Sequence, residues 1–417
     1  MDDLFRSRLH EVLDLEPTPH QLRARVMQAL PAERRLARRR TPNLDWTREW
    51  VAFILAIAVV AGLLYFGRTL GPQLVHRTPM QPVPAFLSEP YGIAVGPDGA
   101  LYFSDFVSGY VFRRLPDASI ETIAGTRPIA SIEDGDSGMG GPASRGYLFG
   151  PAGLAFDRSG NLYISDSVAN RVRRIDTHGV ITTFAGTGIA EGGMGALAGD
   201  GGPAKAARLN FTYGLAVDAQ GNLYIADNLN GKIRRVDKGG RISSLDDSTL
   251  PIPQSQFRPD QLAFDSSGNL YVLSSDFGFA PYSGVGCTIL RRTPSGSWSI
   301  VAGRGLCGFG GDGGPATDAK IMGHGGLAFD AAGNLYFSDS ANHRIRRIDR
   351  AGVITTVISG LGYPQGIAFA PDGRLYVEDL VEESITPSAP GRILELSLSE
   401  STLTTLVDSK TTIHTSG

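Results

Sequence analysis

Gly153-Leu-Ala-Phe156, Asp157-Arg-Ser-Gly160-Asn161, Leu162-Tyr-Ile-Ser-Asp166: this run decides the fold. The first four residues are apolar and bounded by turn formers, as a short buried strand should be. Gly160 and Asn161 can take positive φ, so the middle of the run is a tight turn. The last five form a second strand ending in Asp166. Going outward, Asn170-Arg-Val-Arg-Arg-Ile175 partly alternates polar and apolar, like a half-buried strand. Thr177-His-Gly179 turns the chain, and Val180-Ile-Thr-Thr-Phe-Ala185 supplies a fourth strand. Four antiparallel strands, the innermost most apolar, make one propeller blade.

The phrase recurs six times. Gly92-Ile-Ala-Val pairs with Leu101-Tyr102, Gly153-Leu-Ala-Phe with Leu162-Tyr163, and Gly214-Leu-Ala-Val with Leu223-Tyr224. Gln261-Leu-Ala-Phe (Gln for Gly) pairs with Leu270-Tyr271, Gly326-Leu-Ala-Phe with Leu335-Tyr336, and Gly366-Ile-Ala-Phe with Leu375-Tyr376. Self-similarity at this period means an array of similar units. Closing six blades into a ring leaves only short, protected edges, so the expectation is an all-β, six-bladed β-propeller over residues 87–410. Blade 6 owns four strands of its own, with Phe86-Leu87 as a candidate latch.

The chain has 417 residues, with 53 Gly and 25 Pro, which suits many turns. A net charge of −3 leaves no nucleic-acid footprint. Trp50 to Gly67 carries no charge and as a helix spans about 27 Å, close to a bilayer core. Arg34, Arg35, Arg38, Arg39 and Arg40 lie just before it. The expectation is one transmembrane helix at 49–67 and a cytoplasmic N-terminus, with the propeller extracytoplasmic. Residues 1–48 read as a cytoplasmic tail with two short amphipathic helices or disorder. Residues 68–86, with four Pro, read as a stalk, and 411–417 as a C-terminal tail.

The repeat resembles the NHL repeat family. Pro151 to Gly186 matches best, followed by Phe211 to Val236 and Leu327 to Ile348. Gly199-Asp200-Gly-Gly-Pro-Ala204 and Gly311-Asp312-Gly-Gly-Pro-Ala316 resemble the linker of bacterial and teneurin-like NHL arrays. The resemblance implies a binding platform. Other six-bladed propellers that the fold resembles are lactonases and lyases, many with a metal cluster in the channel, so a fold of this kind does not name the activity.

Residues found in nearly every blade read as scaffold. Asp105, Asp166, Asp227, Asp339 and Asp379 cap the following turns, and one Arg of each Arg-Arg pair (113–114, 173–174, 234–235, 291–292, 346–347) faces outward. Asp200 and Asp312 read as turn residues, with Pro203 and Pro315 opening short helices. Departures from the repeat are the functional candidates. All the long loops fall on one face of the ring, where binding is usually placed. At the channel mouth on that face, the candidate ligand ring is Tyr91, Tyr213, Asp260, Gln261, His324 and Gln365. No catalytic residue is assigned and no cofactor is required. Calcium is the cation considered, with Asp134, Asp136 and Asp260 as candidates. Cys287 and Cys307 are expected to form a disulfide in an oxidising exterior. The expected function is a membrane-anchored binding, adhesion or sensing module for a peptide, glycan or protein partner. The alternative is a calcium-dependent lactonase or lyase.

Overall fold

The computed structural model describes residues 87–126, 138–188, 197–275, 285–381, 391–399 and 402–408. Its strands form six four-stranded antiparallel sheets, each built from four strands consecutive in sequence. The blades run over 90–124, 151–185, 212–244, 259–306, 327–359 and 363–407. No helix among the described residues is long and apolar enough to cross a membrane. The expected tail, span and stalk at 1–86 lie outside the described residues, as does the tail at 411–417.

The repeated residues earn their recurrence at the seams between blades. Apolar clusters sit between neighbouring sheets all round the ring, such as Val111 and Ala124 of blade 1 with Leu154 and Leu162 of blade 2. The phrase's Tyr packs edge-on against the Phe of the next blade: Tyr102 on Phe156, Tyr224 on Phe264, Tyr271 on Phe329 and Tyr336 on Phe369, with centroids 4.9–5.0 Å apart. The phrase's Gly is needed for close backbone approach. A Cβ on Gly92 would stand 2.0 Å from the Ala152 carbonyl oxygen, and one on Gly153 2.3 Å from that of Tyr213. Ser104 and Ser165 then donate across the same seams, to Ala152 O and Thr212 O, each at 2.8 Å.

The ring closes with four strands of blade 6, the outermost being Thr402–Val407. Leu87 also latches: it is fully buried among Ile393, Tyr376 and Val407, and its carbonyl accepts from Gly391 N at 2.7 Å.

The strand-ending Asp side chains do more than cap a turn. Asp339 accepts from Met322 N at 2.6 Å, so it ties the incoming inter-blade connection to its own blade. Asp227 does the same with Asn210 N, and Asp379 with Gly362 N. The Arg pairs need a correction. In blades 2, 3 and 5 the first Arg of each pair, Arg173, Arg234 and Arg346, is wholly buried and paired with Asp166, Asp227 and Asp339. In blades 1 and 4 the pair is shifted by one residue. Arg113 and Arg291 lie opposite Tyr102 and Tyr271, and Phe112 and Leu290 hold the inward position. A shift of one residue along a strand exchanges its faces, so these pairs are not equivalent.

Asp200 and Asp312 serve the same framework. Asp200 accepts from Arg234 at 2.6 Å, and Asp312 from Arg346 at 2.6 Å. The short 3-10 helices Ala204–Ala206 and Ala316–Asp318 follow, with Pro203 and Pro315 at the N-cap rather than the first helical position.

Candidate functional site

The position before the phrase's Gly is held by Tyr91, Ala152, Tyr213, Asp260, Gly325 and Gln365 in successive blades. The first strands begin at or near this position, next to the axis, because the innermost strands converge. Four of the six predicted residues meet. Tyr91 and Tyr213 stack, with centroids 5.3 Å apart and planes 18° apart. His324 stands edge-on to both, at 5.5 and 6.0 Å. Asp260 lies beneath: its Oδ2 is 2.9 Å from His324 Nδ1, and its Oδ1 accepts from the Tyr91 hydroxyl at 3.2 Å. The Tyr91 hydroxyl is also 3.1 Å from His324 Nε2.

Two of these contacts are hydrogen bonds, and both run through the Tyr91 hydroxyl. The approach of His324 Nδ1 to Asp260 is close but lacks hydrogen-bond geometry. A tyrosine hydroxyl has one proton to give, so Tyr91 can donate to Asp260 or to Nε2, not to both at once. Burial, and then the Asp260 carboxylate, hold the Tyr91 phenol well above its ordinary range. Tyr91 is therefore a proton donor here and not a phenolate base. Burial likewise raises Tyr213.

Blade 5 is altered to make this cluster. His324-Gly325-Gly326 replaces the usual Pro-led start, and its first strand shortens to Leu327–Phe329. Gly325 has φ of 131°, which side chains rarely adopt, and its N–H donates to Asp260 Oδ2 at 3.1 Å. Ser340, directly after the phrase's second strand, donates to the His324 carbonyl.

The other two predicted residues stand apart. Gln261 lies at the blade 3–blade 4 seam, its amide oxygen over Gly214, where an added Cβ would be 2.8 Å away. It took the phrase's Gly position, which faces the seam and not the axis. Gln365 is buried at its ring position; its carbonyl accepts from Gly326 N at 2.8 Å, and its Oε1 makes no hydrogen bond. Sequence reasoning missed Phe106 and Phe211, which pack on the Tyr pair, and Glu89, raised by burial and then by Asp105 and lowered by His324. An aromatic directly after a strand-ending Asp or directly before a phrase was the signal available.

Asp134 and Asp136 lie outside the described residues. Among the described residues no group of three His, Cys, Asp or Glu side chains is placed to hold an ion. Both oxygens of Asp260 already have partners. Cys287 and Cys307 are bonded, with Cα atoms 5.2 Å apart. Cys287 lies opposite Gly305, so Cys307 sits just past the end of that pairing.

A family model described as "Teneurin NHL domain" matches residues 291–363. Teneurin-m of Drosophila melanogaster is 29% identical over 290 residues, covering 63% of this chain and 10% of that protein. Teneurin-3 of Mus musculus is 27% identical over 352 residues, covering 70% and 12%. The chain thus spans about a tenth of the length of the curated relatives it matches. Among solved structures, virginiamycin B lyase from Staphylococcus aureus is 17% identical, with a TM-score of 0.46, covering 78% of this chain and 86% of that one. A likeness of that size carries nothing about chemistry. Ring topology makes this a six-bladed β-propeller, and the repeat phrase and sequence matches make it similar to the NHL domains of teneurins.

Proposed function

We propose that this propeller is a binding module that presents its long-loop face to a protein, peptide or glycan partner. In this reading residues 49–67 anchor it to a membrane, with the N-terminus inside. One observation carries the choice of face. Among the described residues, the openly exposed large apolar side chains are Val107 at 54%, Phe309 at 47%, Leu197 at 42% and Leu403 at 40%. Val107, Leu197 and Phe309 all stand in connections on the long-loop face, and none of the four stands in a tight turn on the opposite face. Phe309 is also braced. The Arg344 guanidinium lies 3.7 Å from its ring centre, so the aromatic is pre-positioned rather than free to collapse. Aromatic and Arg side chains together are the usual anchors of a protein interface.

Photo-crosslinkers placed at 107 and 309 of the full chain in cells test this, with Arg158 and Lys238 on the tight-turn face as controls. Adducts from 107 and 309 alone are expected. Equal yields from both faces would sink the assignment.

The second reading is a calcium-dependent lactonase or lyase. The Asp260–Tyr91–His324 cluster at the axis, hydrogen-bonded through the Tyr91 hydroxyl, favours it, because a positioned acid–base group is what such chemistry uses. It predicts a stabilising thermal shift on adding calcium to the chain, reversed by a chelator and absent in D260N. No shift at millimolar calcium leaves the binding module alone.

A further inference from the structure

Five seams of the ring and the sixth differ at one position. The residue before the strand-ending Asp, or before the Ser274 that stands in its place in blade 4, is Ser104, Ser165, Ala226, Leu273 and Ser338 in blades 1 to 5, and Glu378 in blade 6. The three serines donate to a carbonyl of the next blade: Ser104 to Ala152, Ser165 to Thr212, Ser338 to Gln365. Glu378 occupies the same place at the seam where blade 6 meets blade 1. It is fully buried, and neither carboxyl oxygen has a hydrogen bond of normal geometry.

Its surroundings identify the acceptor. A point over Gly366, where a Cβ would be, lies 2.3 Å from Glu378 Oε2 and 2.9 Å from the Tyr91 carbonyl oxygen. Tyr91 is the residue of blade 1 that corresponds to Ala152 and Gln365. A carboxylate and a carbonyl oxygen are both acceptors and repel; a carboxylic acid has the proton the serines have. We propose that Glu378 closes the ring as a neutral carboxylic acid, donating its proton to the Tyr91 carbonyl, and that losing this proton loosens the blade 6–blade 1 seam.

The charges around it agree. Among the described residues, no cation is placed to compensate a carboxylate. Arg392, on the neighbouring strand, is taken by Asp379, and Arg374 by Asp372 and Glu395. Asp105, across the seam, is a like charge. Burial holds the carboxyl well above its ordinary value of 4.5; the Gly366 N–H opposes it, and Asp105 adds a lesser upward push. A folded state that keeps a proton the unfolded chain gives up is favoured at low pH. The contribution of this group is therefore full below about 4.5 and is lost as pH rises through the folded value.

The test compares melting of the full wild-type chain with E378Q from about pH 5 to about pH 9. Glutamine donates to the same carbonyl and cannot ionise. Within the titrating window the wild type should lose roughly 3 °C per pH unit relative to E378Q. The difference between the two curves removes the contributions of the other buried carboxylates. The infrared carbonyl band of a protonated carboxylic acid should also be present in the wild type at neutral pH and missing in E378Q. E378S, which restores the residue of the other seams, should flatten the pH profile in the same way and serves if E378Q does not fold. Parallel melting curves, no protonated-acid band, or failure of both variants to fold would each overturn the proposal.

Discussion

Asp339 and Asp260 are buried carboxylates at the same end of the ring, and they keep different company. Asp339 belongs to a pattern. It holds a backbone N–H of the incoming connection and the guanidinium of Arg346, which also reaches Asp312 and the carbonyls of Lys320 and Gly310. Blades 2 and 3 repeat the core of it with Asp166–Arg173 and Asp227–Arg234. Asp260 belongs to no pattern. Its partners, Tyr91, His324 and Gly325 N, come from blades 1 and 5, and nothing like them recurs among the described residues of the ring. The first arrangement solves a problem every blade has, which is how to fix a long connection to its sheet. The second joins three blades across the axis and solves nothing that five other blades require solving.

Arg346→Ala should give the largest effect. It strands Asp339 in the interior and leaves Asp312 without its guanidinium. Removing one partner of a buried ion pair typically costs about 3–5 kcal/mol, which denaturant unfolding would read. Burial already raises the Asp339 carboxyl, opposed by Met322 N–H, Asn342 and then Arg346. Without the arginine it moves further up. The defect should therefore shrink as pH falls, because a protonated Asp339 needs no counter-charge. A loss under about 1 kcal/mol would mean the knot is dispensable and its recurrence has another origin.

His324→Ala should cost less, about 1–3 kcal/mol by the same measurement, since Asp260 keeps Tyr91 and the Gly325 N–H. A loss as large as that of Arg346→Ala would erase the distinction between the two networks and make the axial cluster a structural plug.

The scaffold was legible because its chemistry is local and repeated. Gly-x-Ala-Phe with Leu-Tyr announces two strands and a turn, and the structure shows the same residues making the seams. Ring positions were legible as well, since alignment of six phrases puts Tyr91, Tyr213 and Asp260 in register. Two errors came from the same source. Arg113-Arg114 and Arg291-Arg292 look like the other pairs in sequence, but register is set by pairing with the neighbouring strand, and these are one residue out. Gln261 looked like an axial residue because it departs from the repeat; its position faces the seam. Departure from a repeat marks a residue as unusual, and only the direction of its side chain tells what it is unusual for. The buried Arg of blades 3 and 5 was missed because its guanidinium draws on a carboxylate of the adjacent strand and another from a connection far off in sequence, Asp200 for Arg234 and Asp312 for Arg346.

Tyr91→Phe should have the smallest effect on stability and the most to say about function. It deletes one hydroxyl and leaves the ring stacked on Tyr213. Both hydrogen bonds through that hydroxyl are lost, while Asp260 keeps the Gly325 N–H and His324 beside it. The cost to unfolding should be about 1 kcal/mol. If the axial cluster contacts the partner, the same change weakens binding by about tenfold, the effect of one lost hydrogen bond to a polar group, while folded Arg346→Ala binds as the wild type does. Binding measured on both variants separates the networks by what they serve. Unchanged affinity in Tyr91→Phe would move the contact surface outward, to Val107 and Phe309 on the loops, and leave the axial cluster as the device that holds blades 1, 4 and 5 together.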